Sequence, residues 1–169
     1  MKNLIFVNGT MGAGKTTTCT YLKQLLPHAV FLDGDWCWDA DPFVVTDETK
    51  AMVLDNITHL LNNFLACTAY ENVIFCWVMH EEAIVRQILS WLSTENASVR
   101  VFTLTLTEEA LRERLARDIA DGKRQADIFD RSVARLPLYD GMNSTKIDVS
   151  KMSALDAAKQ IADWLDTKA

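Results

Sequence analysis

The stretch of sequence that decides the fold is Gly9-Thr10-Met11-Gly12-Ala13-Gly14-Lys15-Thr16. It matches the pattern G-x-x-x-x-G-K-[ST], in which glycines let successive backbone N–H groups turn inward around an anion. An apolar run precedes it and predicts a buried strand, Leu4-Ile5-Phe6-Val7. The residues that follow predict a helix from Thr17 to Leu26, which ends before Pro27. A strand, a glycine-rich loop and a helix in this order predict a bound phosphate at the helix N-terminus.

The side chains of this phosphate loop (residues 9–16) have expected tasks in binding a nucleoside triphosphate. Lys15 is expected to reach the β- and γ-phosphates, and the Thr16 hydroxyl is expected to ligate Mg²⁺. The expected nucleotide contacts are Gly9, Met11, Gly12, Ala13, Gly14, Lys15, Thr16 and Thr17.

Composition narrows the class of protein. The chain has 169 residues, of which 49% are hydrophobic and 24% charged, and this predicts a single globular domain over residues 1–169. The net charge of −6 disfavours a nucleic-acid partner, because phosphate contacts need a basic surface. The four cysteines lack C-x-x-C spacing and are expected to be buried free thiols. No apolar stretch has the length of a membrane span, so a cytoplasmic protein with no membrane partner is expected, as a monomer or a homodimer.

Short apolar runs alternate with amphipathic stretches along the chain. The runs predict strands at 3–8, 29–33, 72–79, 99–106 and 145–149, with helices between them. This alternation predicts an α/β three-layer sandwich around a five-stranded parallel sheet. A polar break from Gly122 to Asp130 interrupts a helical region, and a mobile lid is predicted there, over residues 117–135.

Two aspartates follow the second predicted strand. In an open α/β sheet, ligands bind outside the carboxyl ends of the strands, so Asp33 and Asp35 are expected opposite the phosphate loop. Phosphoryl transfer to a hydroxyl needs a group that orients or deprotonates the acceptor and another that helps to hold Mg²⁺. The pair can serve both tasks, although a polar turn around Gly34 is the simpler interpretation of the same residues.

Large aromatic side chains come directly after the aspartates. Trp36, Trp38 and Phe43 are predicted to form an acceptor pocket beside Asp35, with ordinary core packing as the alternative for each. His80, at the end of the third predicted strand, is a further candidate for acceptor contact, although a lone histidine is more often structural.

Together, the loop, the aspartate pair and the later arginines resemble the small-molecule kinases of the P-loop fold: adenylate, shikimate and gluconate kinases and chloramphenicol phosphotransferase. The resemblance covers nearly the whole chain and implies ATP and Mg²⁺ as cofactors. Many P-loop enzymes have an aspartate after the third strand, and this sequence has none there. The resemblance therefore implies that Asp33 faces the metal, with Thr16, and that Asp35 is catalytic.

The resemblance also assigns the arginines. Nucleotide kinases carry R-x-D-D in the lid and R-L-x-x-Y beyond it, and this chain has Arg124-Gln125-Ala126-Asp127 and Arg135-Leu136-Pro137-Leu138-Tyr139. On that match Arg124 and Arg135 clamp the transferring phosphoryl group, with Lys15. Arg114 fits the first arginine of the family's R-x-x-x-R helix and would stack on adenine. The structural alternative is a solvated helix face, on which Arg112 pairs with Glu108.

These features predict a kinase that transfers the γ-phosphoryl group of ATP to a small acceptor, a nucleoside, a nucleotide or a hydroxylated antibiotic-like compound. Residues 36–71 contain no arginine, which disfavours a phosphorylated acceptor. Two alternatives remain open from the sequence: a regulatory switch that hydrolyses the nucleotide, and a module that binds ATP without catalysis.

Overall fold

The apolar runs of the chain are the strands of one parallel sheet. The computed structural model describes residues 1–122 and 128–167. Within them the strands are β1 Lys2–Gly9, β2 Ala29–Asp33, β3 Asn72–Cys76, β4 Ala97–Thr105 and β5 Thr145–Asp148, in the spatial order β2-β3-β1-β4-β5. β1 is therefore central, and its carboxyl end delivers the phosphate loop to the middle of one sheet edge.

Helices cover both faces of the sheet. They are α1 Lys15–Leu25, α2 Asp47–Ala66, α3 Glu82–Ser90, α4 Glu108–Ala120, α5 Ile128–Ala134 and α6 Ala154–Thr167. Along β1, Ile5 and Val7 join one core with buried residues of α1, α4, α5 and α6, whereas Leu4 and Phe6 join a second core with α2 and α3. This period of two places a hydrophobic layer on each side and confirms the predicted three-layer α/β sandwich.

Local sequence signals mark several helix starts. The Oγ1 of Thr46 accepts a hydrogen bond from the Thr49 N–H at 3.2 Å, which caps α2. Ser153 caps α6 in the same way, since its Oγ accepts from the Asp156 N–H at 3.1 Å. Such caps satisfy donors that the first helical turn leaves without a partner.

The third strand is shorter than predicted, because it ends at Cys76 and not at residue 79. The Asn8 side chain is the physical reason. Its Oδ1 accepts from the Met79 N–H at 2.9 Å and its Nδ2 donates to the Met79 carbonyl at 2.7 Å. These two bonds occupy backbone groups that a continued strand would pair, so the chain leaves the sheet after Cys76.

Two further expectations need correction. Residues 128–130 of the predicted polar break belong to α5, where Ile128 is buried in the core. The thiols are free, but only Cys19 and Cys76 are buried. Cys67 is exposed because it follows the last residue of α2 at the surface.

Candidate functional site

The phosphate loop connects β1 to α1 in a conformation that only glycine adopts without strain. Gly12 and Gly14 have φ angles of 88° and 91°, in the left-handed region. A Cβ at Gly12 would lie 2.8 Å from Leu115 Cδ2, so this glycine also lets the loop pack directly on α4. The loop is therefore held in shape by its backbone and by α4.

Lys15 extends back over the phosphate loop. Its Nζ donates to the backbone carbonyls of Gly9 at 2.9 Å and Thr10 at 3.0 Å. An ammonium group in this position adds positive charge to the inward N–H groups of the loop and the N-terminus of α1. The arrangement is suited to phosphate oxygens.

Thr16 joins the phosphate loop to the end of β2. Its Oγ1 donates to Asp33 Oδ2 at 2.6 Å, and Asp33 is 4% exposed. These two oxygens fit Mg²⁺, a hard cation that prefers oxygen ligands and usually retains several waters. Among the described residues, no group of three or more histidine, cysteine, aspartate or glutamate side chains could hold a metal. A magnesium ion here would therefore be completed by phosphate oxygens and water.

Asp35 is held beside this pair by contacts from two strands. Its backbone N–H donates to Asp33 Oδ1 at 3.0 Å, and its carboxylate Oδ1 accepts from Trp77 Nε1 at 3.1 Å. Trp77, which directly follows β3, was not predicted from the sequence. The register of β2 on β3 could have indicated Trp77. Asp33 pairs with Cys76, so the residues that follow these two are neighbours at the sheet edge.

A cavity of about 860 Å³ opens at the carboxyl edge of the sheet. Its phosphate end is lined by Asp33, Asp35 and six of the predicted nucleotide contacts: Met11, Gly12, Gly14, Lys15, Thr16 and Thr17. The other two predicted contacts, Gly9 and Ala13, are buried and are not among the lining residues. Its other end is lined by residues of α4 and by residues that follow β5, among them Glu113, Arg114, Arg117, Asp118, Ser150, Lys151, Met152 and Ser153. The volume lies in the range of small-molecule sites.

Arg114 spans the back of this cavity. Its guanidinium donates to the carbonyls of Ala13 at 3.0 Å and Met152 at 3.3 Å, and also to that of Val149. It thus ties the phosphate loop to the segment after β5. Burial lowers the pKa of Arg114, and the charge of Arg117 lowers it further. Stacking on adenine stays a prediction, since the contacts that the structure gives Arg114 are to the backbone.

Arg112, also on α4, has the structural role that was considered for it. The Nη2 of Arg112 lies 2.7 Å from Glu108 Oε1, one turn earlier in α4, and both side chains are about half exposed. Exposed i,i+4 pairs of this kind contribute about 0.3–0.5 kcal/mol.

The three aromatic candidates for acceptor contact form two separate ring pairs. Trp36 packs edge-on against Phe31 with centroids 5.0 Å apart, and Trp38 packs against Phe43 at 4.5 Å. Trp36 and Phe43 are both 59% exposed. None of the three is among the described residues that line the large cavity. Their contact with an acceptor stays a prediction.

Arg135 lies close enough to His80 to influence it electrostatically. The pKa of His80 is lowered mainly by burial and then by the positive charge of Arg135, while Glu81, at 3.6 Å from Nε2, raises it. Neither His80 nor Arg135 is among the described residues lining the large cavity. Their roles stay predictions, and Arg124 lies outside the described residues.

Comparison with known proteins places this site in a family. A family model described as an AAA domain matches residues 5–134, more than half of the chain and including the phosphate loop, the aspartate pair and α4. The chain belongs to this AAA domain family. No curated protein sequence matches it.

Solved structures of a resistance protein and of kinases share the fold of this AAA domain. The tunicamycin resistance protein of Deinococcus radiodurans is 22% identical with a TM-score of 0.74, and the match covers 98% of this chain and 96% of that one. Shikimate kinase from Acinetobacter baumannii is 22% identical at a TM-score of 0.66, covering 99% and 95%. A gluconokinase from Sinorhizobium meliloti is 17% identical at 0.64, covering 99% and 97%. The fold is therefore that of P-loop kinases.

No helix within residues 1–122 and 128–167 combines the length and apolar character that crossing a bilayer requires.

Proposed function

We propose that this protein is an ATP-dependent phosphotransferase that moves the γ-phosphoryl group of ATP–Mg²⁺ to a hydroxyl of a small acceptor. The observation that carries the proposal is the 2.6 Å contact between Thr16 Oγ1 and Asp33 Oδ2, with Asp35 two residues further along. It brings a phosphate loop, a magnesium-compatible oxygen pair and a candidate base into one cavity.

Each side chain has a defined task in this proposal. Lys15 and the loop N–H groups bind the phosphates and neutralise charge at the transferring group. Thr16 and Asp33 would hold Mg²⁺ through their side-chain oxygens. Asp35 orients the acceptor hydroxyl and accepts its proton. Bound Mg²⁺ would supply positive charge that neutralises the negative charge of the phosphates.

The lid remains part of the proposal. Arg135 and Arg124 would close over the γ-phosphate, and a closed site without bulk water would strengthen every charge interaction inside it.

For the acceptor, the lack of arginine in residues 36–71 favours a compound without a phosphate group. The exposed rings of Trp36 and Phe43 favour one with an apolar or aromatic part.

ADP release from ATP–Mg²⁺ tests the proposal across a panel of thymidine, thymidine monophosphate, shikimate, gluconate and tunicamycin. We expect one class of acceptor to accelerate ADP release. Lys15→Ala should reduce that rate by about 100-fold or more, the typical cost of losing a donor to developing negative charge. Lys23→Ala is the matched control, because Lys23 is an exposed lysine on the same helix.

Two results would contradict the proposal. Acceptor-independent ADP release at the full rate would support a nucleotide-hydrolysing switch. Tight ATP binding without ADP release under any condition would support a binding module.

A further inference from the structure

We propose that Trp77 is a positioning residue that fixes the orientation of the Asp35 carboxylate, an inference that rests on the phosphotransferase function proposed above. The indole Nε1–H donates to Asp35 Oδ1 at 3.1 Å across 42 positions of sequence. Trp77 is half-buried at the end of β3, whereas Asp35 is exposed. The indole N–H of half-buried Trp77 thus holds the carboxylate of exposed Asp35.

The backbone next to Asp35 is shaped to admit this indole. A Cβ at Gly34 would lie 2.5 Å from Trp77 Cγ and 2.6 Å from Cδ1, distances that real Cβ atoms essentially never show. Gly34 is buried, and only a residue without a side chain allows the indole to lie directly on the backbone before Asp35. The ring position and the hydrogen bond therefore depend on the same close approach.

Asp35 is consequently held through its main chain and through its side chain. Its main chain is bound to Asp33, the proposed magnesium residue, at 3.0 Å, and its side chain is bound to Trp77. The first contact sets the position of the Asp35 main chain relative to the Asp33 carboxylate, and the second restricts rotation of the Asp35 carboxylate. A base must lie within hydrogen-bonding reach of the acceptor proton, and misplacement by about 1 Å can cost about 100-fold in rate.

A purely structural role for Trp77 would need only the ring. Its apolar surface packs against the core formed by α2 and α3, and phenylalanine would fill most of that space. Positioning needs the N–H group in addition. Trp77→Phe therefore separates the two roles, because it keeps a ring on Gly34 and removes the donor.

The experiment uses the full chain and the panel acceptor that gives the fastest ADP release. We expect Trp77→Phe to lower kcat about tenfold or more, in line with loss of a hydrogen bond to a charged group, with the KM for ATP changed less than about twofold. Trp91→Phe is the matched control, since Trp91 lies at the end of α3 and is 48% exposed. It should retain the wild-type kcat.

A double-mutant cycle tests whether Trp77 acts through Asp35. Asp35→Ala and the double variant Asp35→Ala/Trp77→Phe should have the same residual rate. The inference would be overturned if Trp77→Phe lowered kcat by the same factor in the wild-type protein and in the Asp35→Ala variant. It would also be overturned if Trp77→Phe kept the wild-type kcat. Absence of transfer by the wild-type protein to every acceptor would overturn the proposed function, and this inference with it.

A measurement that does not depend on the folding of Trp77→Phe completes the test. In ¹⁵N-labelled protein the assigned indole N–H of Trp77 should exchange with solvent about tenfold faster in Asp35→Ala than in the wild type. An unchanged exchange rate would show that the indole is not bound to this carboxylate and would overturn the inference.

Discussion

Replacement of Arg114 by lysine tests how the nucleotide cavity is assembled. The guanidinium donates to backbone carbonyls of the phosphate loop and of the segment after β5, on Ala13, Val149 and Met152. It therefore holds two walls of the cavity together. Arg114→Lys keeps the positive charge but replaces a planar group with several donors by one compact ammonium.

The expected loss follows from the number of hydrogen bonds. A lysine at this position can keep one of the three acceptors, so two carbonyls lose their partner. Each such bond contributes about 1 kcal/mol net, which gives a loss of about 2 kcal/mol in the free energy of unfolding. For a chain of this size, that lowers Tm by about 4–8 °C. Water can reach part of this half-buried site, so a larger loss is not expected.

Thermal unfolding of the nucleotide-free protein measures this effect. The matched control is Arg112→Lys on the same helix, whose exposed pair with Glu108 should change stability by less than about 0.5 kcal/mol. An unchanged Tm for Arg114→Lys together with weaker ATP binding would refute the reasoning, because the guanidinium would then serve the nucleotide and not the backbone. An equal loss in Arg112→Lys would assign the effect to α4 in general.

Three further predictions concern the carboxyl edge of the sheet. Asp33→Asn should reduce the effect of Mg²⁺ on ATP affinity by about tenfold, because an amide ligates the cation more weakly than a carboxylate. Titration calorimetry with ATP, in the presence and absence of Mg²⁺, measures this effect. Gly34→Ala should lower the free energy of unfolding by about 1–3 kcal/mol in urea and should also lower kcat, because the new methyl group displaces Trp77. Gly141→Ala is the control, since the space around Gly141 is open, and it should change neither stability nor kcat. The lowered pKa of His80 means that the unfolded chain binds its proton more readily, so stability should fall as the pH drops below the ordinary histidine value of about 6.5. His80→Leu should flatten that dependence in urea unfolding at about pH 5 and pH 7.5, and an equally steep dependence in the variant would contradict the assignment.

Local patterns in the sequence predicted most of the fold. The alternation of apolar runs and amphipathic stretches placed the strands of the sheet to within a few residues at most ends, because burial on both faces requires continuous apolar strands. The exception was β3, which ends at Cys76 because Asn8, from another strand, takes the backbone groups of Met79. A side chain 71 positions away leaves no periodic signal near the strand that it ends.

In the candidate site, too, some features could be predicted from local sequence patterns and others could not. The phosphate loop could be recognised because its function lies in the backbone, which demands glycine, lysine and threonine at fixed spacing. The aspartate pair could be recognised because the carboxyl ends of parallel strands meet at one edge. The contacts of Trp77 with Asp35 and of Arg114 with Met152 could not, since each joins residues far apart in sequence.

The sequence by itself determined the class of fold and the place where phosphate would bind, because hydrophobic period and glycine spacing act over neighbouring residues. Only the tertiary structure decided which side chains meet. It placed Trp36 and Trp38 in separate ring pairs, gave Asp35 the indole of Trp77 as its partner and made Arg114 a link between two backbone segments. The physical reason is that such contacts depend on strand register and side-chain packing between elements, which no local pattern encodes.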